Sequence, residues 1–144
     1  HRVDRRQRQM CIRDRHIGVF NMTTSKELNY GEQVEANELR AYGDNNYDLY
    51  RSRGVPMQKN LDRKINKGVF DFDKSVKLWR YWTDDANKRY KADQGVSFST
   101  KVRQHVAFNK ALDYVLDLDD TPIETKCALL QTTEYGQFMG RVWI

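Results

Sequence analysis

The chain has 144 residues, a net charge of +5 and a mean hydropathy of −0.87, with 39% hydrophobic and 12% aromatic residues. This length suits one domain, and the aromatic content can supply a core despite the polar composition. No apolar run approaches the roughly 18 residues that span a bilayer, and the N-terminus lacks an apolar signal region. With two cysteines and no secretory signal, we predict a reducing, cytoplasmic compartment.

Most of the positive charge lies in the first 15 residues, which contain six arginines and two aspartates. From Met22 onward, 19 basic and 18 acidic residues leave a net charge of +1. The string from Val3 to Arg15 resembles a translated sequencing adapter of the kind found at the ends of environmental reading frames. We therefore predict a non-native or disordered tail over 1–21 and a single helical domain over 22–144. The alternative is a genuine basic arm that binds nucleic acid.

The first predicted helix covers Glu32 to Tyr42, with Val34 and Leu39 among its apolar positions. Gly31 weakens any extension of this helix toward the N-terminus, and Gly43 is expected to end the helix.

The second predicted helix follows candidate caps at Asp44, Asn45 and Asn46 and meets Pro56 in its interior. Proline cannot donate to the carbonyl of residue 52, so we expect the helix to kink or restart there. It should then run to Lys67, with Gly68 as the residue beyond its end.

Basic residues follow one side of this second helix. Lys59, Arg63 and Lys67 are spaced by four and lie opposite the apolar positions Leu61 and Ile65. The candidate nucleic-acid-binding residues are Arg51, Arg53, Lys59, Arg63, Lys64 and Lys67. They form either a phosphate-binding stripe or a solvated face of the helix.

The rest of the chain is expected to fold around a central helix at about 72–93, started by Asp71 or Asp73 and ended by Gly95. Trp79 and Trp82 lie on its apolar face. We interpret both as core residues, and the alternative is an exposed aromatic platform for bases or a partner. The predicted structural core comprises Leu61, Ile65, Trp79, Trp82 and Tyr90.

Two further helices are predicted. Ser99 or Thr100 can cap a fourth helix that reaches about Asp117, and its acidic end should fray because negative charge there opposes the helix dipole. A capping sequence from Thr121 to Glu124 starts a fifth helix, which should end at Gly136. The apolar residues that follow either pack back onto the domain or bind a partner.

Signatures of catalysis and metal binding are weak. His105 and Cys127 are the only histidine and cysteine after Met22, and a buried structural cysteine with a partly exposed histidine is simpler than a nucleophilic pair. One histidine and one cysteine cannot form a zinc site, and no phosphate-loop, dinucleotide or metalloprotease motif is present. We predict no catalytic residue, no metal site and no cofactor.

A recognisable pattern runs between residues 48 and 90. It consists of Asp48-Leu49-Tyr50-Arg51, Pro56, Asn60-Leu61, Lys64, Gly68, Phe70-Asp71, Lys77-Leu78-Trp79, Tyr81, Lys88 and Tyr90. This pattern is similar to that of a group of short, uncharacterised proteins from tailed phages and environmental bacteria. The resemblance covers about a third of the chain. It implies a small α-helical fold and a phage or bacterial source, and it implies no activity.

These observations predict an all-α fold: a small bundle of four or five helices around the central helix. The expected function is that of a small non-enzymatic protein, a phage or bacterial accessory factor that acts through contacts with a partner protein or by self-association. A nucleic-acid-binding module that uses the basic 51–67 segment with weak affinity is the alternative. An enzyme of unrecognised type is the third hypothesis, and no membrane contact is expected.

Overall fold

The computed structural model describes residues 28–130, which form five helices and no strand. Helix α1 spans Tyr30–Asp44, and α2 has three parts: an α-helical turn Tyr47–Leu49, a π-helical turn Tyr50–Gly54 and an α-helical part Val55–Asn66. Helices α3, α4 and α5 span Phe72–Gln94, Thr100–Leu116 and Ile123–Leu130. The predicted all-α class and the small bundle of four or five helices are confirmed.

Helix α1 starts two residues before the predicted position. The side chain of Asn29 accepts the backbone N–H of Glu32 at 2.8 Å, and the Glu32 carboxylate accepts the N–H of Asn29 at 3.0 Å. This reciprocal capping box satisfies two backbone donors of the first turn. Its stabilisation offsets the cost of roughly 1 kcal/mol for Gly31 inside the helix, so the predicted start at Glu32 was two residues late.

Helix α3 begins after Asp71 and ends at Gly95, two residues that the sequence analysis named for these positions. Asp71 accepts the backbone N–H of Lys74 at 3.1 Å and caps the start of the helix. Gly95 ends it in the left-handed conformation, with φ of +77°. Gly68, just beyond α2, has φ of +73°, and both positions favour glycine because a Cβ is strained there.

Helix α2 passes Pro56 by widening one turn earlier. Proline lacks an N–H, and in α-helical geometry its ring would clash with the carbonyl four residues before it. In the π-helical turn, the N–H of Val55 donates to the carbonyl of Tyr50, five residues back. The α-helix then resumes at Val55, so the predicted kink or restart takes the form of this π-helical turn.

Helix α3 is the hub of the bundle and packs against both α1 and α4. Trp79 and Trp82 are only 2% and 3% exposed, and their rings meet edge to face at 5.8 Å. Neither indole therefore forms an exposed platform. Of the other expected core residues, Leu61 and Tyr90 are buried, whereas Ile65 is half-buried against the core.

A glycine lets α1 lie directly on the second tryptophan. A Cβ placed at Gly43 would be 2.5 Å from Cη2 of Trp82 and 3.2 Å from Cβ of Ala86. The first distance is too short for a real Cβ contact, and the second is tighter than most, so this contact depends on the absence of a side chain. Gly43 thus sets the distance between the two helices.

The C-terminal end of α4 is stabilised by a residue of α5. Helix α4 ends at Leu116, and the ammonium group of Lys126, buried in α5, donates to the Leu116 carbonyl at 2.8 Å. A cation at this position offsets the negative end of the helix dipole. The acidic sequence alone predicts that this end of α4 frays, and the positive charge of Lys126 counteracts that tendency.

Several expectations lie outside the described residues: the tail at 1–21, the domain start at Met22, the helix end at Gly136 and the apolar segment after it. Within residues 28–130, none of the helices is long and apolar enough to cross a bilayer.

We expect Gly43→Ala to destabilise the fold by about 1–3 kcal/mol, because the added methyl group must displace Trp82. Urea unfolding followed by tryptophan fluorescence measures the change. Gly31→Ala is the matched control, since its new Cβ would lie 3.5 Å from the nearest Asn29 oxygen and should stabilise α1 slightly. Equal stability of the two variants would contradict the close packing at Gly43.

Candidate interaction surface

Exposed tyrosines mark the beginning of α2. Tyr47 and Tyr50 are 67% and 52% exposed, and their rings stack with centroids 6.3 Å apart. The guanidinium of Arg51 lies over the Tyr47 ring, 5.8 Å from its centroid. We call Tyr47, Tyr50 and Arg51 the tyrosine patch. A cation held on an aromatic face is preorganised for contact with another molecule.

A groove of about 240 Å³ lies between α2 and α3, beside the π-helical turn. Its walls are Ser52, Arg53, Pro56, Met57, Asn60, Leu78 and Tyr81, and we call it the π-turn groove. The side chain of Tyr81 is 60% exposed. The side-chain oxygen of Asn60, Oδ1, is buried and has no hydrogen-bond partner. π-Helical turns occur frequently at functional sites, and here the turn shapes one wall of the groove.

Arg53 is held at one end of the groove by an ion pair. Its Nε lies 3.1 Å from a carboxylate oxygen of Asp85, and Arg89 pairs with the other oxygen at 3.3 Å. This arrangement fixes the α2 and α3 walls relative to each other. Because Arg53 is half-exposed, the pair is screened by water and adds little to stability.

The structure does not bring the six candidate basic residues together on one face. Arg51 belongs to the tyrosine patch and Arg53 pairs with Asp85, whereas Lys64 is half-buried. Lys59, Arg63 and Lys67 are exposed at four-residue spacing and form a short stripe along α2. Only these three therefore retain the geometry of a phosphate-binding stripe.

A second, polar cleft of about 260 Å³ lies between α1, α2, α3 and α4. Arg40 forms an ion pair with Asp113, and the Lys110 ammonium pairs with Asp44 at 2.5 Å. The same ammonium lies 5.2 Å and 4.6 Å from the ring centroids of Trp79 and Trp82. Each cation of this cleft is thus already engaged by a carboxylate or an aromatic face.

Burial shifts the ionisation of two side chains in the polar cleft. It lowers the pKa of Lys110, while the nearby Asp44 carboxylate acts in the opposite direction. Burial, together with a hydrogen bond donated to Asp62, raises the pKa of Tyr114 well above its ordinary value of 10.0. Both shifts follow from packing between helices, and neither requires a ligand.

The histidine and the cysteine do not form a nucleophilic pair. His105 is 7% exposed, so the expectation of a partly exposed histidine was wrong. Cys127 is buried and is not a free thiol, so it does not supply the exposed thiolate that nucleophilic chemistry needs. Among residues 28–130, no three potential metal ligands lie together.

The sequence analysis singled out Arg53 as a candidate binding residue and Trp79 as a core residue, but it did not predict the π-turn groove or the polar cleft that they line. Arg40, Lys110 and Asp113 come from two helices whose contact only the fold reveals. Asp84 of α3 pairs with Arg80 at 3.0 Å and with Arg103 of α4 at 3.1 Å, and the second of these pairs also joins two helices. The one available signal for the groove was Pro56 inside an otherwise helical pattern.

Comparison with known proteins gives no relative: no protein family, no curated protein and no solved structure matches this chain.

We expect alkaline unfolding to depend on Tyr114. Its folded-state pKa is raised, so above a pH of about 10 the unfolded chain releases a proton that the folded chain retains, and stability falls as pH rises. Tyr114→Phe should move the midpoint of alkaline unfolding, followed by circular dichroism, to higher pH. Tyr30→Phe, at an 82% exposed tyrosine, should leave it unchanged, and equal midpoints for all three proteins would contradict the assignment.

Proposed function

We propose that this protein is a small non-enzymatic accessory factor of a phage or a bacterium, which docks a partner protein onto the first half of α2. The docking region comprises the tyrosine patch and the π-turn groove, which are built on the same π-helical turn. A cytoplasmic location is part of this proposal.

The observation that carries the proposal is the exposure of three tyrosines around this turn. Tyr47, Tyr50 and Tyr81 are between 52% and 67% exposed. Tyrosine and arginine are enriched at the centres of protein interfaces, where they bury a large apolar area while keeping a polar tip. Two tyrosines that already stack on each other, with Arg51 over the Tyr47 ring, lose little side-chain entropy when a partner binds.

The second candidate function is weak binding of duplex nucleic acid by Lys59, Arg63 and Lys67. Their four-residue spacing and exposure favour it. Three phosphate contacts are few, and Asp62 lies on the same helix next to Arg63. Non-specific contacts of this kind give a Kd of about 10⁻⁴ to 10⁻⁶ M at physiological salt. We therefore rank nucleic acid below protein.

Panning the full chain against a random 12-residue peptide display library tests the docking region. We expect the enriched peptides to lose at least about tenfold in affinity on the double variant Tyr47→Ser, Tyr50→Ser, because two interface aromatics are removed. Tyr30→Ser, another exposed tyrosine of the same fold, should bind them normally. Equal binding to all three proteins, or no enrichment at all, would overturn the proposal.

The nucleic-acid candidate has its own test. Titrating a 20-base-pair duplex into the full chain and into Arg63→Glu at several salt concentrations gives the slope of log K against log salt. One lost phosphate contact should flatten the slope by about one and weaken binding to all sequences equally. Lys91→Glu, at an exposed lysine near the end of α3, is the control. Sub-micromolar binding that Arg63→Glu abolishes would place nucleic acid first.

A further inference from the structure

We propose that the outer face of α3 binds single-stranded nucleic acid, with the Tyr81 ring stacked on a base and the ammonium groups of Lys77 and Lys88 on phosphates. This inference goes beyond the proposed function, because it concerns another class of partner. Tyr81 also lines the π-turn groove, so the two partners share this residue. Three observations carry the inference: the unequal distribution of charge over the described residues, the lack of ion pairs at the two lysines, and the exposed ring between them.

Positive charge is concentrated in the part of the chain that contains α2 and α3. Residues 47–95 include 12 basic and 7 acidic residues, a net charge of +5. Residues 28–46 and 96–130, which supply α1, α4 and α5, together include 5 basic and 9 acidic residues, a net charge of −4. A surface of one sign raises the local concentration of an oppositely charged ligand and speeds its association. A polyanion is therefore favoured on α2 and α3, and the other helices repel it.

Lys77, Tyr81 and Lys88 lie in one row along the outside of α3, which we call the α3 row. They follow one another at intervals of four and seven residues, so they occupy an arc of about 40° and a length of roughly 16 Å on the helix. The buried residues Trp79 and Tyr90 lie on the opposite side. Both lysines are exposed, and Tyr81 is 60% exposed. The ring thus lies between two ammonium groups on a surface open to solvent.

The carboxylates of α3 nearest the row are already engaged. Each is paired with two arginines: Asp84 with Arg80 and Arg103, and Asp85 with Arg53 and Arg89. In the first turn, Asp71 caps the helix and Asp73 is half-buried. Within residues 28–130, Lys77 and Lys88 form no ion pair. Phosphates can therefore reach both charges without the cost of breaking an existing ion pair.

The ring favours a single strand over a duplex and over an acidic peptide. Stacking on a base needs an open base face, and in a duplex each base is covered by its neighbours. An acidic peptide would pair with the lysines, but its carboxylates have no flat surface for the Tyr81 ring. A single strand supplies both groups, since every base has a π-face and every nucleotide has a phosphate. The stripe of Lys59, Arg63 and Lys67 on α2 contains no aromatic residue, so it gives no such preference.

Fluorescence anisotropy of a labelled oligo-dT of about 12 nucleotides, titrated with the full chain, tests the role of the ring. Tyr81→Ala should weaken binding at least about fivefold, because one base loses its stacking partner. Tyr81→Phe keeps the ring and should bind as tightly as the parent chain. Tyr30→Ala, at an 82% exposed tyrosine of α1, is the control and should also bind normally. The arginines of residues 1–15 are present in every variant, so these differences report on Tyr81.

Removing the two lysine charges tests the phosphate contacts. The pair Lys77→Gln, Lys88→Gln should weaken binding and flatten the slope of log K against log salt by about 1.4, since each phosphate contact of a single strand contributes about 0.7. The control pair Lys91→Gln, Lys101→Gln removes the same charge from outside the α3 row, where Lys91 is exposed and Lys101 pairs with Glu32. It should change the slope much less.

Several results would overturn this inference. Binding that Tyr81→Ala leaves intact, equal losses with the two lysine pairs, or equal affinity for oligo-dT, a duplex and polyglutamate would show that the chain attracts polyanions without stacking a base. Absence of binding by the parent chain would overturn it too. None of these results bears on the docking proposal, which the displayed peptides and the variants at Tyr47 and Tyr50 test separately.

Discussion

Two indoles placed three residues apart on α3 must be buried together, and the neighbouring helices are arranged around that requirement. Trp79 and Trp82 meet edge to face at 5.8 Å, so they form one broad apolar surface rather than two separate anchors. Helix α1 can cover Trp82 only because Gly43 has no side chain. Helix α4 covers the other side, and Lys110 places its ammonium over both rings. The position of each of these helices thus follows from one pair of residues.

The polar cleft is a consequence of this arrangement. An ammonium group over two indoles gains roughly 2 kcal/mol when it is desolvated, which offsets part of the cost of removing it from water. Asp44 supplies the remaining counter-charge, and Arg40 pairs with Asp113 beside it. Partly exposed ion pairs of this kind contribute little net stability, but they disfavour alternative helix registers, in which the same charges would be unpaired. We read the cleft as a device that fixes how α1 and α4 meet.

The sequence predicts the elements of this fold well and the contacts between them poorly. Asp71, Gly95 and Pro56 act within one turn of themselves, so their effects on α2 and α3 could be read from local chemistry. The early start of α1 was missed because predicting it requires a comparison of two small energies. These are the stabilisation by the capping box and the cost of one glycine inside the helix. Lys110 and Arg40 were not distinguished from ordinary surface cations, because the sequence around each of them does not show which helix packs against it. The groove was missed for the same reason, as its walls are formed by two helices.

The cations that lie between helices differ from the cations on exposed helix faces in whether a carboxylate already pairs with them. Those between helices, such as Arg40, Lys110 and Arg103, are paired with carboxylates of a neighbouring helix. Binding an external carboxylate there would first require breaking an existing ion pair. Exposed cations of α2 such as Lys59, Arg63 and Lys67 form no ion pair with a carboxylate of the described residues. The cost of breaking an existing ion pair is one reason why the proposal places the partner on α2 rather than in the polar cleft.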